Sequence, residues 1–167
     1  TLEAVLRRAA QSLGVLAQEK GQHAQAIERF TAALKARPNY TEARLRLASS
    51  LRRTGRLADS LAAYREALGA APDNPEAKMG AAMVLSTLRR DREAKQMLEA
   101  SLQSNAGDLV TMHALARLLA TSPDASVRDG RRAMDLVQQM LQRGRTLELG
   151  ETYAMTLAEL GQFREAQ

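Results

Sequence analysis

Chemistry in this chain would have to come from very few residues. His23 and His113 are the only histidines among 167 residues, and there is no cysteine. A metal site needs three or four convergent ligands, and neither histidine has a second histidine or a carboxylate cluster at ligand spacing. His113 has Arg117 one turn on, a cationic edge that disfavours a metal ion. Ser49, Ser50 and Ser86 are candidate nucleophiles, but hydrolysis needs a histidine base and an orienting carboxylate brought to the serine, and none lies in the same or an adjacent turn. The ten glycines are scattered and form no phosphate-cradling loop. Without cysteine there is no disulfide framework, thiolate zinc site or cysteine nucleophile. These residues predict no enzyme, no cofactor and no metal.

The other chemistry on offer is charge. Lysine and arginine total 24 against 19 aspartates and glutamates, a net +5, carried mainly by Arg7/Arg8, Arg52/Arg53, Arg89/Arg90, Arg131/Arg132 and Arg143/Arg145. Several of these pairs fall near predicted helix ends, where a cation beside the last carbonyls gains about 0.3–1 kcal/mol. Only 3% of residues are aromatic, and none interleave with the arginines as a single-stranded nucleic-acid surface requires. Nucleic acid is therefore disfavoured as a partner. A basic surface for nucleic acid or another polyanion stays as an alternative.

The elements that must position these residues repeat with a fixed period. Over Thr41–Asn74, Leu47, Ala48, Leu51, Gly55, Ser60, Tyr64, Ala67 and Pro72 read as helix, tight turn, helix, stop. Thirty-four residues earlier, the corresponding slots from Ala48 onward hold Gly14, Ala17, Gly21, Ala26, Phe30, Ala33 and Pro38, with Leu13 preceding them. Thirty-four later they hold Ala81, Ala82, Leu85, Arg89, Ala94, Leu98, Ser101 and Ala106. A constant period of this length marks a stack of supersecondary units, each burying its apolar face on its neighbours. Arg89 at the inter-helix turn predicts a turn that does not need φ > 0.

The 34-residue helix-turn-helix, with small, aromatic, small and proline residues at those offsets, resembles the tetratricopeptide repeat over nearly the whole chain. The resemblance implies an all-α, right-handed superhelical solenoid that binds proteins or peptides. Repeats are expected at about 7–40, 41–74, 75–108 and 109–146, with 147–167 incomplete, in a single domain 1–167. The spacing from Ala94 to Ala133 is 39 residues and from Ala133 to Ala166 is 33. About five extra residues therefore separate the two helices of the fourth repeat, within 121–130, similar to a lengthened repeat of large bacterial tetratricopeptide proteins. This segment is rich in turn formers. It is read either as a protruding binding loop or, with more weight, as a variant turn folding a short helical segment over the end of the first helix.

The binding surface is expected where each first helix faces away from its second helix. Helical spacing puts Gln11 and Val15 there, then Leu45, Ser49 and Arg52, then Met79, Met83 and Ser86, then His113 and Arg117, with Arg8 at the edge. Leu45, Met79 and Met83 have a competing role in packing adjacent first helices. Otherwise they form a soft apolar floor with basic ends, and methionine suits such a surface because its thioether re-packs. The two-carboxylate clamp of some family members is not present, since Lys and Asn are missing from these slots. The expected partner is an unidentified protein or peptide segment with apolar anchors and some acidic residues.

A second expectation is weak self-association, in which uncapped repeat ends stack between molecules; Tyr153, Ala154, Leu157 and Leu160 would lie open where the helix beginning at Gln162 is cut short. The chain is read as a piece of a longer polypeptide. Its Ala and Arg bias is associated with GC-rich bacterial genomes. There is no run of 18 apolar residues, hence no membrane span, and the first residues lack a signal-peptide pattern. The expected location is soluble, cytoplasmic or periplasmic.

Overall fold

The computed structural model describes residues 2–143 and 147–160, with the side chains of residues 3, 6, 7, 147–151 and 159 outside that description. Nine helices are described: α1 Leu2–Glu19, α2 His23–Ala36, α3 Thr41–Arg53, α4 Leu57–Ala70, α5 Pro75–Thr87, α6 Asp91–Ser104, α7 Leu109–Thr121, α8 Gly130–Leu141 and α9 Leu147–Glu159. No strand occurs among the described residues. Helices α3, α5 and α7 begin at residues 41, 75 and 109, and α4 and α6 at 57 and 91, so the 34-residue period is exact in the middle of the chain. Gly161 and the helix expected from Gln162 lie outside the described residues.

Each helix starts and stops for local reasons. Asn74 accepts the Ala77 N–H at 2.8 Å while Pro75 takes the first helical position, and Asp108 and Asp129 cap α7 and α8 through Val110 N and Arg132 N. These contacts satisfy donors that the helix itself leaves unpaired. At the inter-helix turns, Gln22 N donates to Ala17 O at 2.8 Å, Arg56 N to Leu51 O at 2.9 Å and Arg90 N to Leu85 O at 2.9 Å. Such a closure requires one left-handed residue. Gly21 (φ 70°) and Gly55 (φ 76°) supply it, and in the third repeat Arg89 does so at φ 59°. The expectation that Arg89 marks a turn without positive φ is thus corrected: the turn is the same, and the arginine is held in the strained region.

The chain divides into two compact units, Thr1–Val84 and Leu85–Gln167. In the first, Ala17, Ala26, Phe30, Ala33 and Ala43 form a buried cluster with Val15, Leu34, Tyr40 and Leu47 against it. Phe30 fits because Gly14 has no Cβ: one there would lie 2.7 Å from the ring. Ser60 occupies a small-residue slot without leaving a polar atom unpaired, donating to Ala48 O at 2.7 Å. In the second unit, Met112, Leu115, Leu119, Ala133, Val137 and Met140 are buried, and α7 packs on α6, α8 and α9. The slot residues Ala26, Phe30, Tyr64, Ala67, Ala94 and Leu98 are at most 3% exposed, as the period predicts. Leu157 is buried, whereas Tyr153, Ala154 and Leu160 are half-buried.

The extra residues of the fourth repeat fold back on the unit instead of protruding. Val127 is 1% exposed, Asp129 N donates to Leu119 O at 3.0 Å, and the Ser122 hydroxyl donates to the buried Asp91 carboxylate at 2.5 Å. Arg92 adds bonds to Asp124 (2.9 Å) and Ser126 (3.0 Å). The segment is a turn laid over the end of α7; the short helix expected within it is absent, residues 125–127 forming only a turn. Hydrogen bonds from Ser126, supported by Arg92, hold the half-buried Asp124 carboxyl below its ordinary range.

Candidate binding surface

In the first unit, the surface is built on α1, α3 and α5. Gln18 ties α1 to α3, its amide donating to Arg46 O at 2.9 Å and to the Ser50 hydroxyl at 2.7 Å. Tyr64 of α4 rises between α3 and α5. Its ring lies against Gly80, where a Cβ would sit 2.7 Å from the hydroxyl oxygen and closer still to Cζ and Cε1. The hydroxyl meets Ser49 and the Arg52 guanidinium through hydrogen bonds. Burial pushes the Tyr64 hydroxyl pKa up from its usual 10.0, and the nearby Glu76 carboxylate adds to this, while Arg52 and Ser49 oppose it. The Arg52 Nε is buried without a hydrogen-bond partner.

The structure therefore brings Ser49 and Arg52 to one hydroxyl, with Met79 and Met83 on α5 one residue before and three after the glycine beneath it. Met79 is half-buried and Met83 is 45% exposed. Leu45 differs from the expectation: at 4% exposed it is drawn into the interior and serves packing, because its turn of α3 is covered by neighbouring helices. Gln11 and Val15 are half-buried on α1, and Arg8 is exposed.

The remaining candidates belong to the second unit. Ser86 is half-buried and Arg117 exposed. His113 is half-buried and its Nε2 lies 2.6 Å from the Thr152 hydroxyl, a link between α7 and α9. Among the described residues no three His, Asp or Glu side chains are grouped to hold a metal ion, and no helix is long and apolar enough to cross a membrane. The Tyr64 hydroxyl is the functional candidate that sequence reasoning missed, because the slot marks an aromatic for packing. The signal was present in the contrast with Phe30, the same slot one repeat earlier, and in Gly80.

Comparison with solved structures gives the fold independently. A tetratricopeptide repeat protein of Parabacteroides merdae superposes with a TM-score of 0.85 at 17% identity, over 96% of this chain and 62% of that one. The present chain thus spans less than two thirds of that structure's length. MamA from Desulfovibrio magneticus RS-1 gives 0.83 at 12% identity, covering 96% and 89%. The pilF protein of Pseudomonas aeruginosa gives 0.77 at 20% identity, covering 99% and 74%. Comparison with curated protein sequences finds no match. Two family models described as Tetratricopeptide repeat match residues 12–75 and 51–119. With overlapping matches running across well over half of its length, and with glycine-type turns and buried slot residues at the repeat's period, the chain belongs to the tetratricopeptide repeat family.

Proposed function

We propose that this chain is a protein-interaction scaffold that takes an extended or helical segment of another protein on the first-helix face of its N-terminal unit. The observation that carries the reading is the patch on α3 and α5, where exposed Met83 and half-buried Met79 adjoin Ser49 and Arg52. Gln11 and Val15 extend the patch along α1, with Arg8 at its edge. Ser86, His113 and Arg117 are the corresponding positions of the second unit, and there His113 is partly committed to Thr152. Burying one apolar anchor contributes about 1.5–3 kcal/mol, roughly ten- to a hundredfold in affinity.

The test is selection of peptides of about twelve residues from a random displayed library on the wild-type protein, followed by affinity measurements on Met83→Glu. The selected peptides should lose at least about tenfold, while the melting temperature stays within a few degrees because Met83 is exposed. Equal binding by Met83→Glu overturns the assignment of this face. A collapse of the melting temperature would return Met83 to the core.

Self-association is a second reading, favoured by one observation. Leu2, Val5, Leu13 and Leu16 of α1 are 75%, 64%, 46% and 45% exposed, with exposed Ala9 between them. The equivalents of Ala9 and Leu16 in α3, Ala43 and Ser50, and of Ala9 and Leu13 in α7, Thr111 and Leu115, are at most 1% exposed, while Leu47 is half-buried and Leu118 is 8% exposed, and α2 and α6 pack on those two helices. The α1 stripe thus has the character of a repeat-to-repeat interface. Sedimentation of wild type and Leu13→Glu/Leu16→Glu at two concentrations tests it: concentration-dependent association in the wild type alone supports stacking, and a monomer throughout refutes it.

A further inference from the structure

We propose that the Ser49–Arg52–Tyr64 cluster is a seat for the side-chain carboxylate of an internal acidic residue in the bound segment, with its apolar neighbour resting on Met79 and Met83. The inference rests on the reading of this face as the binding surface and names the chemistry that it selects. Arg52 is half-buried and spends a donor on the Tyr64 hydroxyl, and its Nε is buried without a partner, so a carboxylate would be met by the terminal nitrogens that Tyr64 leaves unused. No ion pair to it is found among the described residues. Arg44, Arg46, Arg56, Arg90 and Arg92 are by contrast each paired with an Asp or Glu.

A planar guanidinium whose position is held by a hydroxyl is pre-organised for a carboxylate, and it discriminates against a neutral amide, which has one acceptor fewer and no charge. Arg52 and Glu76 act on the Tyr64 hydroxyl in opposite senses. Phe30 holds the Tyr64 slot in the preceding repeat and is fully buried without a polar atom, so the polar seat is particular to this place. A chain terminus fits less well than a side chain. The cluster stands between the half-buried residues of α1 and the methionines of α5, so a bound segment continues past it both ways, and a single guanidinium supplies only part of what a terminal carboxylate would need.

The experiment titrates isotope-labelled protein with three short peptides and follows backbone amide shifts. The first is acetylated and amidated with Leu-Glu-Leu at its centre, the second replaces Glu by Gln, and the third is the Gln peptide with a free C-terminal carboxylate. The Glu peptide should bind about two- to fivefold more tightly than the other two at low salt, with its largest shifts at Ser49, Arg52 and Tyr64, and the preference should vanish in Arg52→Gln. Because the comparison of peptides uses wild-type protein, it holds even if that variant folds poorly. Equal affinity of the Glu and Gln peptides, both weakened by Met83→Glu, overturns the carboxylate seat and leaves the binding face standing. A preference for the free terminus overturns the commitment to a side chain. Failure of all three to shift this face removes the binding-face reading and the seat with it.

Discussion

Replacing Gly80 by alanine is the sharpest test of how the first unit is packed. In an open helix the change would stabilise by about 1 kcal/mol through helix propensity. Here the new methyl would enter the Tyr64 ring, within 3 Å of Cζ, Cε1 and the hydroxyl oxygen. The obstacle is a rigid ring 3% exposed, so relief requires moving the ring or separating α4 from α5. Overpacking of this kind costs about 1–3 kcal/mol. Displacing the hydroxyl from Ser49 and Arg52 adds about 0.5–1.5 kcal/mol per bond lost. The net expectation is destabilisation by about 1–3 kcal/mol, after the propensity gain is subtracted.

Gly69 is the internal control, since a Cβ there meets nothing within 4 Å and its φ is not left-handed. Gly69→Ala should be neutral or stabilising by up to about 1 kcal/mol. Urea unfolding followed by circular dichroism at 222 nm should therefore move the two midpoints in opposite directions. Adding Tyr64→Leu to Gly80→Ala should recover at least about 1 kcal/mol of the additive expectation. If Gly80→Ala raises the midpoint as Gly69→Ala does, the close approach of Tyr64 to α5 is refuted, and the cluster built on it falls too.

Three further outcomes follow from other features. Arg89→Gly should stabilise by about 0.5–1 kcal/mol, the left-handed penalty of about 1–2 less the entropy cost of glycine, and an unchanged or lower urea midpoint would contradict the strained turn. Asp91→Ala leaves the Ser122 hydroxyl without its buried acceptor and should cost about 1–3 kcal/mol, with faster hydrogen exchange at the Asp129 amide as the local readout. The raised pKa of Tyr64 means that the unfolded chain loses this proton first. Its contribution is therefore fully present below the usual value of 10.0 and is lost as pH rises through the folded value. Wild-type stability relative to Tyr64→Phe should be level up to about pH 10.0 and fall between that and the folded value; a difference independent of pH would refute the shift.

How much could be read from residues alone depends on where the information resides. Helix hairpins, their period and the buried slot positions were legible because each rests on local spacing: small residues at Ala26, Ser60 and Ala94 admit close helix approach, and Gly21 and Gly55 end helices by backbone freedom. The lengthened fourth repeat was legible by counting. Arg89 misled because residue type alone does not show which backbone bonds close a turn: the bond from Arg90 N to Leu85 O needs a left-handed residue there, and the arginine takes that conformation. For Leu45 the spacing left packing and groove roles both open, and burial decides for packing, since helical spacing separates faces without telling how deeply neighbouring helices cover them.

The candidate site divides in the same way. Sequence by itself determined that this chain is an all-helical repeat with arginine and methionine on its first helices, since both follow from periodicity and residue type. Only the tertiary structure decided that Ser49, Arg52 and Tyr64 meet above Gly80, that the 121–130 segment lies down on Asp91 instead of reaching out, and that His113 is engaged by Thr152. Those contacts join residues 12 to 39 positions apart in the chain, and which of them form depends on side-chain volumes and glycine gaps between packed helices, a property of the assembled unit that no single helix carries.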